Sequence, residues 1–99
     1  MEHMNTGIRV EVIEEIKKLA MKYGVEKVVL FGSRARGDYK RTSDIDLAVK
    51  GGDIPGFALD VDEETSTLLE YDIVDLEGSV QKELLESIME EGSVLYEKI

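Results

Sequence analysis

Apolar residues recur at Ile8, Val12, Ile13, Ile16, Leu19 and Ala20, with Glu and Lys between them. Spacings of three, four and seven trace one face of a helix, so this stretch predicts an amphipathic helix. Gly24 stops it, just after Lys22 and Tyr23 in the last turn. The pattern then changes. Val28 to Phe31 form a short, continuous, β-branched apolar run ending at Gly32, as expected of a strand covered on both faces. Ile45 to Val49 predict a second strand, which Gly51-Gly52 ends. Its period of two places Asp44 and Asp46 on one side and Ile45 and Leu47 on the other.

Residues 55–69 show no clean period. Pro55 can open a helix, and Phe57, Leu59, Val61, Leu68 and Leu69 are available to pack, but the acidic run DVDEE interrupts them. Tyr71 to Leu76 predict a third strand that carries acids among apolar residues. A last helix follows with Val80, Leu84, Leu85, Ile88 and Met89 on one face and Ser79 as candidate cap. Within it, Lys82 and Glu86 stand at i,i+4 spacing, in the less favourable order. Gly92 ends that helix, and Val94 to Tyr96 add a short terminal strand. The alternation predicts an α/β (α+β) fold: one domain over residues 1–99, with helices packed on a sheet of about four strands.

Composition narrows the function classes. Ninety-nine residues suit one small domain, and 42% apolar with 34% charged residues are the proportions of a folded soluble protein. No apolar run approaches the roughly 20 residues that cross a bilayer, and the N-terminus lacks a signal-like apolar stretch. The absence of cysteine excludes disulfides and thiolate metal sites, and the single histidine, His3, leaves no basis for a histidine-rich zinc site. A cytoplasmic protein is the simplest expectation. A net charge of −10 argues against direct, nonspecific nucleic-acid binding. Against that acidic background, Arg34, Arg36, Lys40 and Arg41 fall close together, opposed locally only by Asp38. Such a patch suits a polyphosphate or a partner's acidic surface, or is simply a solvated loop.

Three features carry candidate chemistry. Gly32-Ser33 lies where a buried strand gives way to a turn. Glycine lets the backbone approach a ligand, successive amides can form an anion site, and the serine hydroxyl can donate to a phosphate oxygen. A short helix starting at Ser33 would add a favourable field. Asp44 and Asp46, on one strand face, set two like charges together, which a cation such as Mg²⁺ would neutralise. Asp72 and Asp75 offer a third carboxylate. Three apart on a strand, they face opposite sides, so one of them can join the pair. A phosphate cradle, a metal-binding pair and a third acid are what phosphoryl or nucleotidyl transfer requires. No G-x-x-x-x-G-K-[ST] motif occurs, which counts against an ordinary ATPase or kinase.

Gly32-Ser33, ten residues from Arg34 to Ser43, and then Asp44-Ile45-Asp46 resemble the signature of the DNA polymerase β-type nucleotidyltransferase superfamily. FGSRARG and SDIDL match its minimal nucleotidyltransferase (MNT) branch in wording as well as spacing, and the likeness runs from the first helix to the EEGSVLYEK ending. The resemblance implies a small mixed sheet. It also implies that Gly32 and Ser33 hold nucleotide phosphates, with Arg34 and Arg36 either helping there or at a partner, or only packing their stems along the loop. Asp44, Asp46 and Asp72 would bind a pair of Mg²⁺ ions, with Asp75 the fallback for the third acid. Many members of this branch are antitoxins encoded beside HEPN-domain toxins, and some transfer AMP from ATP to a tyrosine of the toxin. The implied activity is therefore Mg²⁺-dependent adenylyl transfer from ATP to a partner HEPN protein. A non-catalytic binding module and transfer to a small molecule are the alternatives. Assembly with itself or with a partner is compatible with so small a core.

Overall fold

The computed structural model describes residues 6–98; His3 lies outside them. The chain runs α1 (Val10–Lys22), β1 (Lys27–Phe31), α2 (Ser33–Arg36), β2 (Ile45–Lys50), α3 (Ile54–Glu64), β3 (Tyr71–Asp75), α4 (Lys82–Glu91) and β4 (Ser93–Glu97). The strands form one mixed sheet in the order β3-β2-β1-β4. β1 pairs antiparallel with both β2 and β4, while β2 and β3 pair in parallel.

The apolar pattern explains the layering. The first helix buries Val12, Ile13, Ile16 and Ala20, the face that its periodicity marks. Its stripe joins Val28 and Leu30 of β1, Ile45, Leu47 and Val49 of β2, and Phe57 and Val61 of α3 in the main core. β1 is apolar on both sides because its other face is also covered: Val29 and Phe31 meet Ala48 and Ile88 in a second, smaller cluster. The sheet thus carries α1 and α3 on one face and α4 on the other.

Two segments depart from the sequence pattern. In residues 55–69 a helix does form, with Pro55 in its first turn and the Asp53 carboxylate accepting from the Gly56 amide at 3.2 Å. The acidic run simply occupies its solvent side. Phe57 and Val61, four apart, reach the core, whereas Leu59 and Leu68 are exposed. The final helix starts at Lys82, with Gln81 rather than Ser79 at the cap position and no side-chain hydrogen bond there. Of its apolar face only Ile88 is buried; Leu84 is half-buried, while Leu85 and Met89 face outward. The smaller cluster has room for one edge of the helix stripe, not for all of it.

Candidate active site

The site forms where β1 ends. Phe31 is the register partner of Asp46, so the next residue, Gly32, comes against the Asp46 side chain. Gly32 has φ 75° and ψ −156°, a region that residues with a Cβ rarely enter. A Cβ placed there would collide with the Asp46 carboxylate. Two independent constraints therefore demand glycine at this point. Gly32→Ala is expected to destabilise the protein by about 2 kcal/mol and to displace Asp46. A lowered unfolding midpoint together with weaker ATP binding would register both effects.

From Gly32 the chain makes the single turn α2, whose first bonds run from the amides of Ala35 and Arg36 to the Gly32 carbonyl at 3.1 and 3.0 Å. The Ser33 and Arg34 amides precede those bonds and have no acceptor within the turn. Gly37 closes it in the left-handed conformation, with its amide on the Ser33 carbonyl at 2.8 Å. The Gly32-Ser33 corner is thus a donor-rich turn beside a carboxylate.

Asp46 stands opposite Asp72 in the parallel β2–β3 register. Both side chains project to the sheet face away from the main core, as does that of Asp44, two residues before Asp46. Asp44 and Asp72 are exposed, and Asp46 is half-buried. The Asp46 carboxyl is pushed up to about 6, first by burial, then by the charges of Asp72 and Asp44, with Arg36 and Arg34 pulling the other way. Asp75 pairs with Val49, whose side chain lies in the main core; it is exposed on the opposite face, and its carboxylate accepts from the Glu77 amide at 2.9 Å. Of the two candidate third acids, the register brings Asp72, and not Asp75, to Asp46.

The two arginines part company. Arg34 is only 2% exposed. Its Nε and Nη2 donate to the Ser43 carbonyl at 3.1 and 3.0 Å, Nη2 also to Arg41 at 3.2 Å, and Nη1 to Thr6 at 2.9 Å. Its guanidinium also lies over the Tyr39 ring, 4.9 Å from the centroid. Of the roles open to Arg34, this geometry favours packing along the loop. Its donors go to the loop that carries the chain from α2 to Asp44 and to Thr6, ahead of α1. Arg36 is exposed and bonded to Asp38 and to Glu91 of α4, both at 3.3 Å. Sequence reasoning did not single out Tyr39 or Glu91; Glu91 lies 55 residues from Arg36, beyond the reach of any local pattern.

Among the described residues no group of three or more Asp, Glu, His or Cys side chains is placed to hold a metal ion by itself. Carboxylate oxygens are nonetheless the donor type that suits Mg²⁺. Clustered carboxylates, one with a raised proton affinity, mark negative charge that no cationic side chain fully offsets. Mg²⁺ is held by a few carboxylates while water and phosphate oxygens fill the remaining positions.

A family model described as Polymerase beta, Nucleotidyltransferase matches residues 14–99. The chain belongs to the polymerase beta nucleotidyltransferase family. Its mixed four-stranded sheet is the fold of that family, and the chain is a nucleotidyltransferase. A Methanocaldococcus jannaschii protein, provisionally named a protein adenylyltransferase, is 38% identical in a 95-residue alignment that covers 84% of this chain and 92% of the relative. Among solved structures, a toxin-antitoxin with AMP-PNP superposes with a TM-score of 0.67 at 26% identity, covering 87% of this chain and 73% of the other. A variant of the toxin-antitoxin MntA-HpeT gives 0.67 at 27% identity, covering 86% and 72%. No helix among the described residues is long and apolar enough to cross a membrane.

Proposed function

We propose that this nucleotidyltransferase moves AMP from ATP to a hydroxyl, that of a tyrosine, on a partner HEPN-domain toxin, and so acts as the antitoxin of the pair. The observation that carries this reading is the Asp46–Asp72 pairing beside the Gly32-Ser33 turn. The protein adenylyltransferase name of the archaeal relative and the toxin-antitoxin neighbours, one of them with an ATP analogue, support it.

In this reading the amides at Ser33 and Arg34, the Ser33 hydroxyl and the Arg36 guanidinium bind phosphate oxygens and hold the triphosphate against the β1 corner. Asp44, Asp46 and Asp72 would hold Mg²⁺, as a pair of ions, which supplies charge neutralisation at the phosphates. The acceptor hydroxyl oxygen forms a bond to the α-phosphorus, the bond to the bridging oxygen breaks, and pyrophosphate leaves with that electron pair. Asp72, exposed at the rim, takes the hydroxyl proton. Arg34 keeps the residue 34–43 loop in the shape that presents Asp44.

Incubating the protein with labelled ATP, Mg²⁺ and a HEPN-domain toxin from the same organism should place label on the partner. No label on a partner that is folded and bound would defeat the reading. Asp72→Asn should reduce labelling by about a hundredfold or more, whereas Asp75→Asn should stay within about twofold. Equal losses at the two positions would contradict the assignment of the third acid. A stoichiometric antitoxin is distinguished by the Asp44→Asn, Asp46→Asn double variant, which would protect cells as well as the parent if covering the toxin were enough.

A further inference from the structure

The sheet face that carries the acids continues into a surface of different character. Along β2 it reads Asp46, Ala48, Lys50, and along β1 Phe31, Val29, Lys27, so one end is acidic, the middle apolar and the far end basic. α4 covers this face only in part. It leaves a groove of about 320 Å³, lined by Val29, Leu76, Leu85, Ile88, Met89 and Val94. Leu85, Met89 and Val94 are 37%, 77% and 43% exposed, a concentration of accessible apolar side chains in one small region. Lys27 and Lys50 border the same groove and are cross-strand partners, two like charges side by side. Among the described residues the only ion pair to either of them is Lys27 to Glu97, at 3.8 Å on the exposed edge strand. In a chain of net charge −10, a paired-lysine border to an apolar trough is a local inversion of sign.

We infer that this groove docks the acceptor protein, through an amphipathic segment whose apolar side chains fill the trough and whose carboxylates meet Lys27 and Lys50. The inference rests on the proposed transfer to a protein. Charge complementarity selects the occupant: a second copy would bring another strongly acidic surface with it, whereas a single acidic-apolar segment satisfies the lysines without that repulsion. Position supports the same assignment. Lys50 is four residues beyond Asp46 on one strand, about 13 Å at 3.3 Å per residue, so a protein seated in the groove extends to the site of transfer. The docking energy is then supplied away from the reacting atoms.

The test uses this chain and a HEPN-domain toxin from the same organism, with binding measured by calorimetry without nucleotide and labelling measured with ATP and Mg²⁺. The double variant Leu85→Glu, Met89→Glu is expected to weaken partner binding at least about tenfold, and Lys50→Glu about threefold, with ATP affinity unchanged. Leu59→Glu, an exposed leucine on α3 across the sheet, controls for added charge and should change binding by less than about twofold. Partner affinity unaltered by the groove variants overturns the inference, as does a partner that does not bind the parent protein. It is likewise overturned if sedimentation shows a parent dimer that the groove variants split, since the groove would then hold a second copy. A partner that binds and loses affinity on groove substitution, yet is never labelled, upholds the docking surface and refutes the transfer.

Discussion

Asp46→Asn is expected to lower nucleotidyl transfer by about a thousandfold or more while making the free protein more stable at neutral pH. The loss follows from removing the central carboxylate of the site. The gain follows from the same geometry. Burial and the neighbouring charges of Asp72 and Asp44 push the Asp46 carboxyl up to about 6 from an ordinary 3.8, so the folded state binds its proton more tightly than the unfolded chain does. The sign is then fixed by linkage. The wild-type protein carries the full benefit of a neutral Asp46 below about pH 4 and loses it as pH rises through about 6. The asparagine variant has no such loss. Its advantage should be absent near pH 4 and reach about 1 kcal/mol above pH 7, a value reduced from the full shift because water screens a half-buried group. Chemical denaturation in EDTA across this range measures it. Adding Mg²⁺ should raise the melting temperature of the wild type and leave the variant much less affected. A variant less stable than wild type at pH 7.5 would mean that the Asp46 charge is already compensated in the free protein.

The second large effect is expected at Arg34. Substitution by Met keeps much of the buried volume and removes every donor to the Thr6, Arg41 and Ser43 carbonyls. A loss of about 3 kcal/mol is expected, because the buried Thr6 and half-buried Ser43 carbonyls are left without this partner and the Tyr39 contact is weakened. Arg34→Lys should recover only a minor part, since one ammonium cannot reproduce a planar fork that serves three carbonyls at once. Denaturant midpoints supply the measurement. The same experiment separates positioning from ligand contact. A phosphate ligand at this place would cost ATP affinity with little change in stability, whereas a loop anchor costs stability first and affinity only through the displaced loop.

These two residues also show how far local pattern reaches. The carboxylates of Asp44 and Asp46 could be assigned to one face because strand geometry forces residues two apart to the same side. The helix face of Val12, Ile13, Ile16 and Ala20 was legible for the analogous reason, at a period of 3.6. Arg34 and Arg36 are indistinguishable to such reasoning. They stand two apart in one short turn, and a buried guanidinium and an exposed one are written with the same letter. Only the return of the loop, which brings three carbonyls around Arg34, and the approach of Glu91 to Arg36, tell them apart. The last helix makes the same point from the other side. Its apolar stripe predicted burial, but the sheet face beneath it offers a cluster large enough to bury Ile88 alone, and Leu85 and Met89 are left in the groove.

The sequence by itself determined the first helix and the four strands, the ten-residue separation between the Gly32-Ser33 corner and the Asp44-Asp46 pair, and the alternation that turns those acids away from the core. Each is a consequence of backbone geometry within a few residues. The tertiary structure decided that Asp72, not Asp75, stands beside Asp46, because strand register is set by burying Ile45, Leu47 and Val49 with Ile73 against α1 and α3. A shift of one residue would reverse both faces of β3 and take the third acid to the wrong side of the sheet. That choice is made by hydrophobic burial across the whole domain, and no interval along the chain can contain it.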